Sequence, residues 1–368
     1  MIALLPVGIA LIAFVLWDAF ETMVLPRRVG RKLRLARVFL RSLWYPWRAA
    51  AWRISDDAGR ERFLGIFGPL SILLLFGFWA ATLVFGFALV YESLGLHLAV
   101  DSQRVNFGTA IYMSGTTFVT LGLGDVAPTT AAARAVTVIE AGTGFGFLAL
   151  VIGYLPVLYQ SFSRRELNIS LLDARAGSPP SAGEMLRRYG RSDDTTEQER
   201  LLLDWERWSA DLLESHLSYP ILAFFRSQHE HQSWLSALTA ILDFSALILT
   251  CERDDRLRRP AELAFAMSRH AVVDLTQSFG RPLDDPEPAR LSPADAARLN
   301  PLLELARLTT LDDTTAWQRL AALRAMYEPY VNAMAKFFVM ELPPWIAERG
   351  QLDDWQTSDR ASVLPDTF

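Results

Sequence analysis

Apolar positions dominate three stretches of the chain: Met1 to about Val24, Phe63 to Tyr91 without a formal charge, and Ala135 to Ser163 broken only by Glu140. Each is long enough to cross ~30 Å of hydrocarbon as a helix, so three membrane-spanning helices are predicted. The first run lacks the basic leader and small-residue cleavage site of a secretory signal, which predicts a retained helix over 1–25. From Arg164 onward the pattern shifts to shorter periods. Leu201, Leu202, Trp205, Trp208, Leu212 and Leu213 recur near helical spacing within Thr195 to His216, and Ser233 to Cys251 is strongly apolar. Ser292-Pro293 opens a helix that bends or restarts at Pro301 and reaches about Leu308, and Asp313 to Met340 forms a last helix bent at Pro329. No alternating strand pattern occurs, and helices account for every periodic segment.

Composition agrees with a membrane segment joined to a large polar one: 51% of residues are hydrophobic, yet 21% are charged, most of them after Arg164. The net charge of -5 averages these unlike halves. Eleven basic residues lie between Arg27 and Arg62, and a short loop this basic stays in the cytoplasm. That orientation puts the amino terminus outside and the carboxyl terminus inside a multi-pass protein of the cell inner membrane. Phe39, Trp44, Tyr45, Trp47 and Trp52 are interleaved with the arginines, which predicts an interfacial helix on anionic inner-leaflet lipid. A nucleic-acid-binding arm is the rival reading, and lipid is the nearer anion. Asp18 and Glu21, at the inner end of the first run, form a polar site within the membrane or pair with Arg27 or Arg28. The single cysteine, Cys251, excludes an intrachain disulfide.

Between the second and third runs stands Thr120-Leu121-Gly122-Leu123-Gly124-Asp125, followed by Pro128. Alone, a Gly-x-Gly-Asp is a β-turn in any loop. Flanked by two spanning helices, it is a re-entrant loop tolerated at membrane depth because protein surrounds it. A strand whose successive carbonyls face one axis needs alternating backbone conformations with φ > 0, which Gly122 and Gly124 reach without a Cβ penalty. Such carbonyls replace the hydration shell of a dehydrated K⁺ ion.

Residues from about Phe67 to Tyr159 resemble the pore module of the two-transmembrane-helix (pore-loop) potassium channel family, a bacterial ion channel type. Thr116-Thr117-Phe118-Val119-Thr120 stands where the family has its threonine-rich pore-helix end, and Asp125 stands at its extracellular aspartate. Leu123 departs from the usual tyrosine. The resemblance implies a homotetramer with K⁺ as permeant ion, its filter built from Thr120, Leu121, Gly122, Leu123 and Gly124. It implies a pore helix over Phe107 to Val119, capped by Asn106. Asp125, Tyr112, Thr116 and Thr117 would support the filter, with the Tyr112 hydroxyl bonding Asp125. Arg134 would start the inner helix and Gly144 would be a gating hinge, or else Gly142, Gly144 and Gly146 serve close helix packing. Phe145, Leu148 and Ile152 share one face and would line the cavity. Pro156 would kink the helix and place a gate near Tyr154 to Tyr159. Glu140, costly in lipid, would face the pore helix.

The expected architecture is an all-α membrane protein. An N-terminal transmembrane helix over 1–25 precedes a basic segment over 26–66 and a pore domain over 67–162. A linker over 163–181, carrying Gly177-Ser178-Pro179-Pro180, leads to a helical cytosolic domain over 182–368. No Gly-x-Gly-x-x-Gly, P-loop or nucleophile-base motif is present, so neither an enzyme nor a nucleotide-binding regulator is expected. His229, Glu230, His231 and His216 are weak metal candidates, and the pairs Asp254-Asp255, Asp284-Asp285 and Asp312-Asp313 suit turns and caps. The expectation is a potassium-selective channel without cofactor, whose helical domain assembles it or takes an unidentified regulatory ligand. A membrane-anchored sensor or scaffold is the alternative, as is a poorly selective cation channel loosened by Leu123.

Overall fold

The computed structural model describes residues 4–25, 35–94, 98–100, 106–190, 195–228, 232–252, 254–281, 283, 290–312, 314–347 and 353. The chain divides into two compact units, Met1–Gln160 and Ser161–Phe368. Helices build both.

The first unit contains α1 (Leu4–Met23), α2 (Leu35–Ala51), α3 (Asp57–Ser93) and α4 (Phe107–Phe118). It ends within α5 (Ala131–Ala176), whose last turns belong to the second unit. The helix α3 starts earlier than its apolar run because Asp56 caps it, accepting from the Gly59 amide at 2.8 Å. Against α3 lies α1, and the two backbones meet at Gly8 and Gly86: a Cβ on Gly8 would lie 2.7 Å from the Gly86 carbonyl oxygen. Two small residues thus let the helices approach closely. The aromatic side of α2 docks on the base of α3. Trp47 stacks on Phe63 at 4.4 Å, Trp44 meets Phe67 edge-on at 4.8 Å, and Phe39 stacks on Phe78 at 5.0 Å. Asp18 of α1 ties the three together. It accepts from the Leu35 and Ala36 amides that open α2, at 2.9 and 3.0 Å, and from Trp79 Nε1 of α3 at 3.1 Å. Its expected partners Arg27 and Arg28 lie outside the described residues.

Two short strands qualify the all-helical expectation. β1 (Leu98–Val100) and β2 (Val126–Pro128) pair antiparallel, Leu98 opposite Pro128. Three residues a side are too few to show alternation in the sequence.

In the second unit, α8 (Trp234–Cys251) is buried along its whole length. A helix apolar on all sides is a core or a membrane element, and here protein surrounds it within its own unit. Around it are α6 (Ala182–Tyr189), α7 (Thr196–Ser218), a 3₁₀ turn (Pro220–Phe224), α9 (Asp255–Ser278), α10 (Pro293–Leu305), α11 (Thr314–Ala325) and α12 (Glu328–Phe338). Most polar residues of α8 are hydrogen-bonded: Thr239 and Thr250 bond back to Leu235 and Ala246 carbonyls, and Asp243 takes Arg290 and Tyr327, while the buried Ser245 hydroxyl has no side-chain or backbone partner among the described residues. Pro301 lies inside α10 without ending it, and the bend expected at Pro329 is a break between α11 and α12.

Residues 163–181 are not a free linker. They stay helical to Ala176, and Arg165, Ile169 and Leu172 are buried in the second unit. Arg165 donates to the Leu222 and Phe225 carbonyls at 2.9 and 2.8 Å. Ser181 caps α6, and Ser178 is held by Asp173 and Asp353. Small and turn-forming residues marked a sharp reversal here, with the backbone tied down by side chains.

Candidate functional site: a re-entrant loop and its three-helix support

The site begins at Asn106. Its side chain accepts from the Thr109 amide at 3.1 Å while the Thr109 hydroxyl accepts from the Asn106 amide, a capping box that starts α4. At the far end the chain folds back onto its own helix. The Thr116 carbonyl accepts from the Leu121 and Gly122 amides at 2.7 and 3.2 Å, and the Thr117 carbonyl accepts from Thr120 at 3.0 Å. Carbonyls that a helix normally leaves open are thus satisfied by the loop, so helix end and loop form one hydrogen-bonded piece.

The loop backbone alternates. Thr120, Gly122 and Gly124 have φ of 59°, 52° and 81°, while Leu121 and Leu123 stay on the negative side. Alternating left- and right-handed residues turn successive peptide planes the same way, which is how one strand presents a row of carbonyls. Leu121 and Leu123 are 58% and 62% exposed, and Thr120 through Asp125 all lie on the surface of the single chain. Tyr112 lies close enough to Asp125 for the two side chains to interact. Thr116 donates to the Met113 carbonyl at 3.0 Å, and Thr117 is half-buried beside it.

Behind the loop runs α5. Gly144 is pressed against the last residue of α4, where any Cβ would overlap the Phe118 carbonyl oxygen. Gly142 and Gly146 have no neighbouring atom within 4 Å. The close-packing alternative for the glycines therefore describes Gly144 alone among these three. Phe145, Leu148 and Ile152 project into the open, with 69%, 55% and 63% of their surface exposed. Pro156 is exposed inside the continuous helix, while Tyr154 is buried edge-on against Phe76 of α3 at 6.1 Å. Arg134 donates to the Pro128 carbonyl at 3.3 Å.

Glu140 carries the largest surprise. It is wholly buried and meets Ser114 of α4 and Tyr91 of α3, whose hydroxyl donates to it at 2.8 Å. Thr137 stands 3.0 Å from the same tyrosine oxygen. Sequence reasoning expected Glu140 to face the pore helix but missed Ser114, Tyr91 and Thr137. A lone carboxylate in an apolar run signals buried partners without naming them.

Of the metal candidates, His229, Glu230 and His231 lie outside the described residues. His216 is buried: its Nδ1 sits 2.8 Å from the Leu212 carbonyl and its Nε2 3.3 Å from Arg165. Among the described residues no cluster of His, Cys, Asp or Glu could hold a metal ion.

Residues 72–160, which hold α4, the alternating loop and the start of α5, match a protein family described as "Ion channel", of the two-transmembrane pore-loop type. This segment is an ion-channel domain. The channel domain sits in a chain similar to an uncharacterized membrane protein, YdjJ, of Bacillus subtilis (strain 168). That relative is 24% identical over 252 residues, spanning 68% of this chain and 70% of its own length. No solved structure matches the chain. The protein is a membrane protein with several apolar helices, and the alternating loop follows α4, between the long apolar helices α3 and α5.

Proposed function

We propose that the chain forms a homotetrameric potassium channel whose filter is Thr120 to Gly124. The observation that carries this reading is the alternation of φ at Thr120, Gly122 and Gly124 in a loop that is exposed on the single chain. One chain supplies one row of carbonyls, and a dehydrated cation needs several rows around it. The apolar exposure of Phe145, Leu148 and Ile152 supports the same assembly, because four copies turn such a face toward a shared axis. Tyr112, close to Asp125, braces the outer mouth. The carboxyl end of the pore helix directs its negative pole at the central cavity. Pro156 marks a bend through which the inner helices gate the pore, and the second unit assembles or regulates them.

The channel works in the inner membrane with its amino terminus outside, the basic segment and second unit facing the cytoplasm. Arg37, Arg41 and Arg48 on α2 meet anionic headgroups there.

Purified full-length protein in liposomes tests the reading. K⁺ flux exceeding Na⁺ flux is expected, and Gly124→Ala abolishes it, because a Cβ at a φ of 81° forces the strand out of alternation. Equal fluxes overturn selectivity and assign the looseness to Leu123. No flux at any voltage, pH or lipid composition overturns conduction in favour of an anchored scaffold.

A further inference from the structure

The inner helix grips the pore helix at two successive turns. Glu140 and Gly144 are one turn apart on α5, and Ser114 and Phe118 are one turn apart on α4; Glu140 meets Ser114 and Gly144 meets the Phe118 carbonyl. The outer helix closes the third side, with the Tyr91 hydroxyl on Glu140 at 2.8 Å and the Val84 carbonyl 2.8 Å from Ser114 Oγ. Glu140, Ser114 and Tyr91 are buried, so each polar contact among them needs a proton.

The protons can be counted. Ser114 has one hydroxyl proton for two contacts, Val84 and Glu140, and the Val84 carbonyl can only accept. The Thr137 proton goes to the Ala133 carbonyl at 2.9 Å, and that of Tyr91 goes to Glu140. Once Ser114 serves Val84, its contact with residue 140 needs a proton from residue 140 itself. Where Ser114 instead serves residue 140, the Val84 carbonyl keeps its bond within α3, so the group at 140 accepts from Tyr91 and either accepts from or donates to Ser114. A carboxylic acid or a carboxamide meets both demands, whereas a hydrocarbon meets neither.

We propose that Glu140 is a positioning residue for the filter. It sets the register of α4 between the inner and outer helices. Through the Thr116 and Thr117 carbonyls, that register sets the amides of Thr120, Leu121 and Gly122. The link to permeation rests on the channel reading above, whereas the grip on the pore helix does not.

Two measurements on the full chain test it: hydrogen exchange of residues 107–122 in lipid nanodiscs, and the K⁺/Na⁺ flux ratio in liposomes at equal amounts of assembled protein. Glu140→Leu is expected to speed exchange there at least tenfold and to lower the flux ratio. Glu140→Gln keeps both within twofold of the parent. Should Glu140→Leu fail to assemble, Ser114→Ala removes the same contact from the other side and is expected to speed exchange likewise. Unchanged exchange in Glu140→Leu, or in Ser114→Ala where that variant stands in, overturns the proposal. So does Glu140→Gln behaving as badly as Glu140→Leu. A parent protein without flux, combined with a loosened pore helix in Glu140→Leu, sinks the channel reading and leaves the positioning role standing.

Discussion

Alanine at position 144 separates a contact from a hinge. A Cβ there overlaps the Phe118 carbonyl oxygen and falls 2.8 Å from its carbonyl carbon and 3.1 Å from its Cα, against an optimum of ~3.5–4.0 Å. The obstacle is main chain, and the alternating loop follows it directly, so relief requires α4 to move. Overpacking of this kind costs ~1–3 kcal/mol, and an immovable partner puts the cost near the upper end. Alanine returns ~1 kcal/mol of helix propensity, leaving a net loss of ~2 kcal/mol per chain. At Gly142 and Gly146 an added Cβ meets nothing within 4 Å inside the chain, so within the chain the same substitution keeps only the gain. Gly144→Ala and its two neighbours should therefore differ by ~3 kcal/mol. Thermal denaturation in one detergent, followed as loss of the oligomer peak, reads the spread, and liposome flux on the same preparations reads the filter. Gly144→Ala is expected to melt several degrees below the parent with a reduced K⁺/Na⁺ ratio, and Gly142→Ala and Gly146→Ala at or above it. Equal melting of all three would falsify the contact. Intact stability with altered opening would assign Gly144 to bending instead.

Three other outcomes follow from contacts away from the filter. Asp18→Ala leaves the Leu35 and Ala36 amides and the Trp79 indole without their acceptor, a loss of ~1–3 kcal/mol; faster hydrogen exchange at the start of α2 is the readout, and parent-like exchange speaks against the tie. Gly8→Val drives a side chain into the Gly86 carbonyl and Val90, so the oligomer should melt lower by ~1–3 kcal/mol, while Gly77→Ala, in open space, stays neutral; equal melting of the two excludes a close α1–α3 crossing. His216 is held well below its usual pKa of 6.5 by burial and then by the Arg165 charge. The unfolded chain therefore binds a proton that the native one refuses, so its contribution is complete above pH ~6.5 and is lost by up to ~1.4 kcal/mol per pH unit as acid rises. Denaturation at pH 7.5, 6 and 5 should show a shallower slope in His216→Gln, and identical slopes would reject the assignment.

What could be read from the chain in advance was local. Length and apolarity mark α1, α3 and α5, because crossing ~30 Å of hydrocarbon leaves little choice of composition. Asn106 announces its helix through a cap three residues long. The partners of Glu140 stayed hidden because they lie 49 and 26 residues away, and no period links them to it. Asp353 was invisible for the same reason: it takes the Ser178 amide from 175 residues away and turns an expected linker into packed structure. The helix α8 passes the same length and hydropathy test as the spanning helices. What sets it apart is its surroundings, where Arg290 from outside the helix reaches Asp243 at 2.7 Å.

Thr120 shows why the loop is legible only in part. Glycine explains φ > 0 at positions 122 and 124, but a β-branched residue at 59° is an outlier costing ~1–3 kcal/mol that no propensity would assign. Such strain persists only where surrounding structure over-determines it. Here the Thr120 amide is bound to Thr117, and the next two amides share the Thr116 carbonyl. Those two carbonyls hold their places because α4 is clamped at Ser114 and Phe118 by α5. The left-handed threonine is thus maintained from Glu140 and Gly144, one helix away, so a defect at either should appear first in the conformation of Thr120.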